Sequence, residues 1–295
     1  MREALRSYYD ASQSDRGVFS MPELPEVEVF RRFVERYVVG KRIQGVQVFE
    51  PRILQGLSPS VLEKAVNNGK VTATERRGKQ LFVQVQQTRR SVWLLFHFGM
   101  TGYFSWFDDE QTVINAYGDP GRKQSHIRVQ FDLDDGSHWA FHEQRMFGRL
   151  GLIDDLNAYL EASGLGPDAV DPRFDEKAFR EALGRCKGQI KPALMNQSVI
   201  AGIGNVYADE MLYQSGIHPE RRVVDLSSSE LQRLYREMKD VLQKTIDCKA
   251  ERECLPKNYL IHFRRAKALC PCSPTPVSVK TIGGRTTYFC PKCQK

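Results

Sequence analysis

From Ile43 to about Asp154 apolar positions alternate with polar ones, as in Val46/Val48, Leu81/Val83/Val85 and Ile127/Val129/Phe131/Leu133. A period of two is that of strands with one buried face. Asp135-Gly136 follows the last of these runs with a dipeptide favoured at two-residue hairpin turns, so the segment is expected to form an antiparallel β domain. The stretch before it has the helical period instead. Phe30, Phe33, Val34, Tyr37 and Val38 recur on one helical face, Pro25 suits a first turn, and Gly40 stands where a C-cap would. Glu23, Glu26 and Glu28 cluster before or within that first turn.

Between Leu156 and Phe174 the stretch GLGPDAVDPRF breaks both patterns with its Gly and Pro residues, and 156–174 reads as an interdomain linker. Beyond it, Glu176–Leu183, Pro192–Gln197, Val206–Gln214 and Ser229–Lys244 are expected to be helical, with Gly202 and Gly204 marking a tight turn before Asn205. The last forty or so residues have neither a long helix nor much apolar content, the situation in which a metal supplies folding energy. No internal repeat or low-complexity segment interrupts this order.

Composition narrows the picture. A chain of 295 residues, 41% hydrophobic and 10% aromatic, can bury two cores, and strands followed by helices make it α+β. No apolar run approaches the roughly 18 to 20 residues of a membrane span. Residues 1–20 lack the apolar region of a secretory signal, so a cytoplasmic protein is expected. The net charge is +7, and Leu255–Lys295 contains Lys257, Arg264, Arg265, Lys267, Lys280, Arg285, Lys292 and Lys295 but no Asp or Glu. One basic surface and an anionic partner are implied. Four of the seven cysteines, Cys270, Cys272, Cys290 and Cys293, form two close pairs in this tail, whereas Cys186, Cys248 and Cys254 lie apart. In a reducing compartment such pairs favour a metal over disulfides, and Gly283-Gly284-Arg285 between them reads as a hairpin turn.

The run Met21-Pro22-Glu23-Leu24-Pro25-Glu26-Val27-Glu28 resembles the N-terminus of the formamidopyrimidine-DNA glycosylase and endonuclease VIII family. It is followed in order by Lys79, His97-Phe98-Gly99-Met100, Arg145-Met146-Phe147-Gly148, Gly202-Ile203-Gly204-Asn205-Val206-Tyr207 and the cysteine tail. The resemblance spans Met21 to Lys295. It implies an N-terminal antiparallel β-sandwich with flanking helices (21–155), a helix–two-turn–helix domain (175–260) and a zinc-finger β-hairpin (261–295). It also implies a monomer acting on damaged double-stranded DNA as a glycosylase and AP lyase, with one structural Zn2+ and no organic cofactor.

The residues carry their own chemical logic. An α-amine with a pKa near 8 supplies far more free base at pH 7 than a lysine near 10.4. A secondary amine such as that of Pro22 would form an iminium with an opened sugar, an electron sink for β- and δ-elimination. Glu23 is placed to protonate the sugar ring oxygen and shuttle protons. Alone, the pair reads as no more than the start of a helix; the family makes them nucleophile and general acid/base. Pro22 is not the first residue here, and an amide nitrogen is no nucleophile. The expectation is translation from Met21 followed by its removal; cleavage of residues 1–20 would serve equally, and a retained extension would leave an inactive form.

The resemblance assigns Lys79 to phosphate contact and catalysis, where the residue alone reads as a solvated hairpin charge. His97 joins the DNA-binding set. Met100, Arg145 and Phe147 match residues that fill the space left by a flipped base, although Met100 and Phe147 could be core residues. Arg145 and Phe147, two apart, would project from one face of an extended segment, and Met146 departs from a commonly basic position. Asn205 and the helix it opens could hold a phosphate, as could Lys191. Arg285 at the hairpin tip matches an arginine that enters DNA beside the flipped sugar. Cys270, Cys272, Cys290 and Cys293 would bind zinc, although the first pair is separated by one residue where the family has two, and Ser273 stands where the second cysteine is expected.

Two further classes stay open: a non-catalytic DNA-binding zinc protein of the same fold, and an RNA- or ribosome-binding module. The stretch DCKAERECLPKN between Ile246 and Tyr259 is short and lacks the glycine-containing loop of family members that excise 8-oxoguanine. Formamidopyrimidines and oxidised pyrimidines are therefore candidate lesions beside 8-oxoguanine.

Overall fold

A computed structural model describes residues 21–108, 112–117 and 125–295; the extension 1–20 lies outside them. The first helix, α1, spans Leu24–Tyr37, with Pro25 in its first turn and Glu23 at its N-cap, whose backbone N–H donates to Glu26 Oε2 at 2.9 Å. Val27, Phe30, Phe33 and Val34 on one face enter the β core, while Leu24 at its start belongs to a second, helical core. One helix thus touches both cores.

The strands are β1 (Ile43–Val48), β2 (Lys70–Arg77), β3 (Gln80–Gln86), β4 (Ser91–His97), β5 (Tyr103–Phe107), β6 (Val113–Asn115), β7 (Ile127–Leu133), β8 (His138–His142) and β9 (Arg149–Ile153). They form two antiparallel sheets, ordered β1-β7-β8-β5-β6 and β2-β3-β4-β9. Alternation in β3 and β7 sends Leu81, Val83, Val85, Val129, Phe131 and Leu133 inward, so the two sheets bury a common core. Phe96 of β4 meets Trp139 of β8 and Phe104 of β5 at ring-centroid distances of 5.3 and 4.9 Å, which locks the sandwich across its gap. Asp135-Gly136 does turn β7 into β8, with Gly136 at φ +81°. A helix in the sandwich, α2 (Pro59–Val66), was not foreseen; Ser58 caps it and Leu62, Ala65 and Val66 pack inward.

The segment 156–174 is not all linker. Leu156–Ala162 is a helix, α3, capped by Asp155, whose side chain accepts from Ala158 N at 3.0 Å. Tyr159 lies against Phe82 on the outer face of β3, with centroids 5.7 Å apart. The helix exists because that face needs a cover, which its own sequence does not reveal. Residues 163–175 are irregular.

Next come α4 (Glu176–Gly184), α5 (Ile190–Met195), α6 (Asn205–Gln214) and α7 (Ser228–Asp247), the last opened by a Ser227/Glu230 capping box. These begin and end within about two or three residues of the expected positions. The chain closes with a hairpin of β10 (Ser278–Ile282) and β11 (Arg285–Phe289). Ile282 pairs with Arg285 across Gly283 and Gly284, at φ +56° and +72°, a turn whose two positive φ values suit glycine.

Candidate active site

The site is built where α1 begins, α6 begins and the β2–β3 turn meets them. Pro22 is buried. Glu23, 2% exposed, accepts from Val206 N at 2.8 Å and from Tyr207 N at 3.4 Å with its two carboxylate oxygens. The first turn of α6 therefore already holds an anion, the Glu23 carboxylate. The Val206 and Tyr207 amides are thus taken by Glu23. The side-chain amide of Asn205 donates to Thr286 O at 3.0 Å, tying the start of α6 to the hairpin.

Two glycines permit this approach. A Cβ on Gly204 would lie 2.2 Å from Glu23 Cδ, and one on Gly202, at φ +109°, would lie 2.3 Å from Leu24 Cδ1. Leu24 N donates to Gly202 O at 3.1 Å, so the turn wraps closely around the Glu23-Leu24 backbone.

Burial raises the pKa of Glu23, against the opposing pull of Lys79 and the Val206 and Tyr207 amides. Glu26 beside it is pushed to about 7 by burial and by the Glu23 charge, while Tyr207 donates to its Oε1 at 2.6 Å. Burial thus favours the protonated form at both adjoining carboxyls, and Glu26 titrates near neutral pH. Lys79 faces them: burial lowers its pKa while Glu23 and Glu26 raise it and Arg285 lowers it again. Lysine, two carboxyls and the hairpin arginine share one electrostatic field.

Lys79 is presented by a braced turn. Gly78, at φ +55°, donates its N–H to Asp168 Oδ2 at 2.7 Å, and Arg76 grips the same carboxylate at 2.6 and 3.1 Å while reaching Glu28 at 3.1 Å. This nearly buried cluster joins β2, α1 and the irregular segment after α3. Asp168 escaped the sequence reading because nothing marks it among the residues of a Gly/Pro-rich stretch.

A second group lies at the end of the sandwich. Buried Glu143 accepts from Thr101 Oγ1, from Arg145 N at 3.0 Å and from Gly148 N at 2.7 Å. It binds the turn after β4, with Met100, to the loop carrying Arg145 and Phe147. Met146 has φ +59°, so this is a kinked loop and not the extended segment expected. Arg145 nevertheless stacks over the Phe147 ring at 5.2 Å, and Phe147 is 53% exposed, which excludes the core alternative for it. Met100 is half-buried. His97 Nδ1 accepts from Gly99 N at 3.2 Å, and burial, with Lys79 and Arg149 nearby, lowers its pKa.

Lys191 is not available to a phosphate. It is fully buried, 2.6 Å from Asp209 Oδ1, and donates to Thr287 Oγ1 at 2.7 Å. Asp209 also pairs with Arg264 and accepts from Tyr288 N at 3.0 Å. Its neighbour Glu210 accepts from Leu260 N and Ile261 N at 3.1 and 2.7 Å. Helix α6 thus anchors the whole C-terminal segment, a role hidden in the sequence because its partners lie 50 or more residues away. The anchored hairpin sets exposed Arg285 toward Lys79, and Gly283 packs so near Pro192 that a Cβ would come within 2.7 Å of its ring.

Three of the four expected metal ligands converge: the sulfurs of Cys270, Cys290 and Cys293 lie within 4.8 Å of one another. Cys272 is exposed and outside this group, which corrects the four-cysteine expectation. The turn after Cys270 brings Ser273 inward instead, its Oγ 3.5 Å from Cys290 Sγ. Cys248 and Cys254, apart in the sequence, are joined as a disulfide after left-handed Lys249 and Ala250 turn the chain back on itself.

A β-sandwich and a helical body thus meet over buried carboxyls, with a cysteine hairpin and an exposed cation–aromatic pair flanking them. The formamidopyrimidine-DNA glycosylase N-terminal domain matches residues 21–150, and the helix–two-turn–helix domain of the same enzymes matches 165–253. A formamidopyrimidine-DNA glycosylase of Pelotomaculum thermopropionicum is 33% identical over 287 residues, covering 93% of this chain and 99% of the relative. The Lactococcus lactis enzyme bound to DNA containing N7-benzyl-Fapy-dG superposes with a TM-score of 0.79 at 28% identity, covering 93% of this chain and all of the other. The same enzyme with abasic-site DNA gives 0.78 at 27%, covering 92% and 99%. The chain belongs to the formamidopyrimidine-DNA glycosylase family. Among the described residues no helix is long and apolar enough to cross a membrane.

Proposed function

We propose that this chain is a monomeric, bifunctional glycosylase and AP lyase that removes oxidised bases from duplex DNA through the amine of Pro22. The observation that carries the reading is the Glu23 carboxyl, buried next to Pro22, raised in pKa and fixed by the α6 amides. A carboxyl so placed can give up and take back a proton beside the Pro22 nitrogen. The Pro22 nitrogen, free when it begins the chain, bonds to C1′ as the bond from C1′ to the base breaks, and the base leaves with the proton that the pyrrolidine nitrogen gives up. Glu23 protonates the ring oxygen, and opening gives an iminium. Loss of the C2′ proton expels the 3′ phosphate, and a second elimination expels the 5′ phosphate. Lys79 balances the charge of Glu23 and contacts phosphate. Met100, Arg145 and Phe147 fill the vacated stack, with His97 supporting their turn, and Asn205 and Arg285 hold the strand from the other side.

Zinc fits the cysteine hairpin: three converging sulfurs in a fold element with little core of its own are a structural zinc donor set. Bound there, zinc would stabilise the hairpin that carries Arg285. For the lesion, the relatives' name and the Fapy-dG complex support formamidopyrimidines; the short, disulfide-closed 248–254 segment supports oxidised pyrimidines as a second substrate class.

The test is borohydride trapping of protein started at Met21 on duplex DNA holding each lesion, with mass spectrometry of the adduct. An adduct on Pro22 is expected. An adduct elsewhere, or none on any lesion or abasic site from folded protein, would overturn the mechanism and favour a DNA binder without catalysis. Pro22→Gly should keep binding and lose most cleavage. Arg285→Ala should weaken abasic-site affinity and its salt dependence.

A further inference from the structure

Deepening the zinc reading, and resting on it, we propose that Ser273 and not Cys272 completes the metal site, so that the chain binds zinc through three thiolates and one hydroxyl oxygen. With Zn–S near 2.3 Å and Zn–O near 2.0 Å, a regular tetrahedron has S–S edges of about 3.8 Å and S–O edges of about 3.5 Å. Cys270 Sγ lies 3.7 Å from Cys293 Sγ, and Ser273 Oγ lies 3.5 Å from Cys290 Sγ and 3.8 Å from Cys293 Sγ. These three edges lie within about 0.3 Å of those of an S3O site, with Ser273 at the fourth corner.

The backbone explains why Cys272 is passed over. Ser273 N donates to Cys270 O at 3.3 Å and Cys270 N donates to Thr275 O at 2.9 Å, so the chain folds tightly back at this point. Pro271, Pro274 and Pro276 restrict φ through the same stretch. Within that turn Ser273 points inward, while Cys272 is exposed and lies outside the sulfur group, whose Cys270 Sγ is 3.2 Å from the Tyr213 hydroxyl. Exchanging the two would mean opening the turn. Three thiolates on Zn2+ leave a net charge of −1 where four would leave −2, which lessens the negative charge inside a hairpin bearing Lys280, Arg285 and Lys292. A neutral oxygen donor is also the weakest of the four and the first to exchange.

The experiment uses the full chain loaded with one equivalent of Co2+, reading the thiolate-to-cobalt charge-transfer band, and in parallel the rate at which a chelator withdraws Zn2+. Cys272→Ser should leave band and rate as in the parent. Ser273→Cys should raise the band by about one third, from three thiolates to four, and slow zinc withdrawal at least about tenfold. Ser273→Ala should keep the band intensity and speed withdrawal. A loss of about one quarter of the band in Cys272→Ser, from four thiolates to three, would make Cys272 the fourth ligand and overturn the inference while leaving zinc in place. Unchanged withdrawal in Ser273→Ala would also overturn it. No stoichiometric metal in folded parent protein would overturn both this inference and the zinc reading.

Discussion

Asp209→Asn isolates the anchor between α6 and the C-terminal hairpin. The substitution is nearly isosteric but removes the counter-charge of Lys191, whose side chain is 0% exposed. Breaking a buried pair by neutralising one partner typically costs about 3–5 kcal/mol. Lys191 has one escape, to shed its proton, and burial already lowers its pKa. From a reference pKa near 10.4, deprotonation costs about 4.6 kcal/mol at pH 7 but only about 1.9 at pH 9. The sign follows from proton counting: the unfolded variant holds the Lys191 proton and the folded one does not, so the variant's stability relative to the parent rises with pH between 7 and 9. Urea unfolding of zinc-loaded protein should therefore show a deficit of about 3–4 kcal/mol at pH 7 that shrinks by about 2 at pH 9, and Lys191→Met in the same background should recover part of it. A deficit below about 1 kcal/mol, or one independent of pH, would refute the assignment of Lys191 as a buried charge.

Gly204→Ala places a Cβ 2.2 Å from Glu23 Cδ, so it should cost about 1–3 kcal/mol and lower cleavage more than DNA binding, measured by denaturation and single-turnover assays. Phe147→Ala should change stability by no more than about 0.5 kcal/mol, because the ring is exposed, yet weaken lesion-DNA affinity in a titration. Glu26 and Glu210 titrate near 7 in the fold against a usual 4.5, so each withdraws stability as pH rises from 4.5 to 7. Glu28, held near 2 by Arg31 and Arg76 despite its burial, contributes stability above 4.5 that is lost as pH falls toward 2. Thermal unfolding should accordingly find greatest stability near pH 5, and a maximum above pH 7 would contradict these burials.

What the chain alone determined is local. The alternation at Leu81/Val83/Val85, the period of α1, Asp135-Gly136 and Gly283-Gly284 each encode an element in neighbouring residues, because side-chain period and turn dihedrals are short-range properties. The order of motifs from Pro22 to Cys293 likewise carried the family. Only the tertiary structure decided which charges work and which brace. Lys191 and Arg285 are both cations in a basic half of the chain, yet one is sealed against Asp209 and the other lies exposed at a hairpin tip. Glu143, Asp168 and Asp209 took their roles from partners brought near by folding. The same holds for Ser273 and Cys272: adjacent residues of similar size were sorted by the direction of one turn, since backbone geometry, not spacing in sequence, sets Ser273 beside Cys290 and Cys293 and leaves Cys272 exposed.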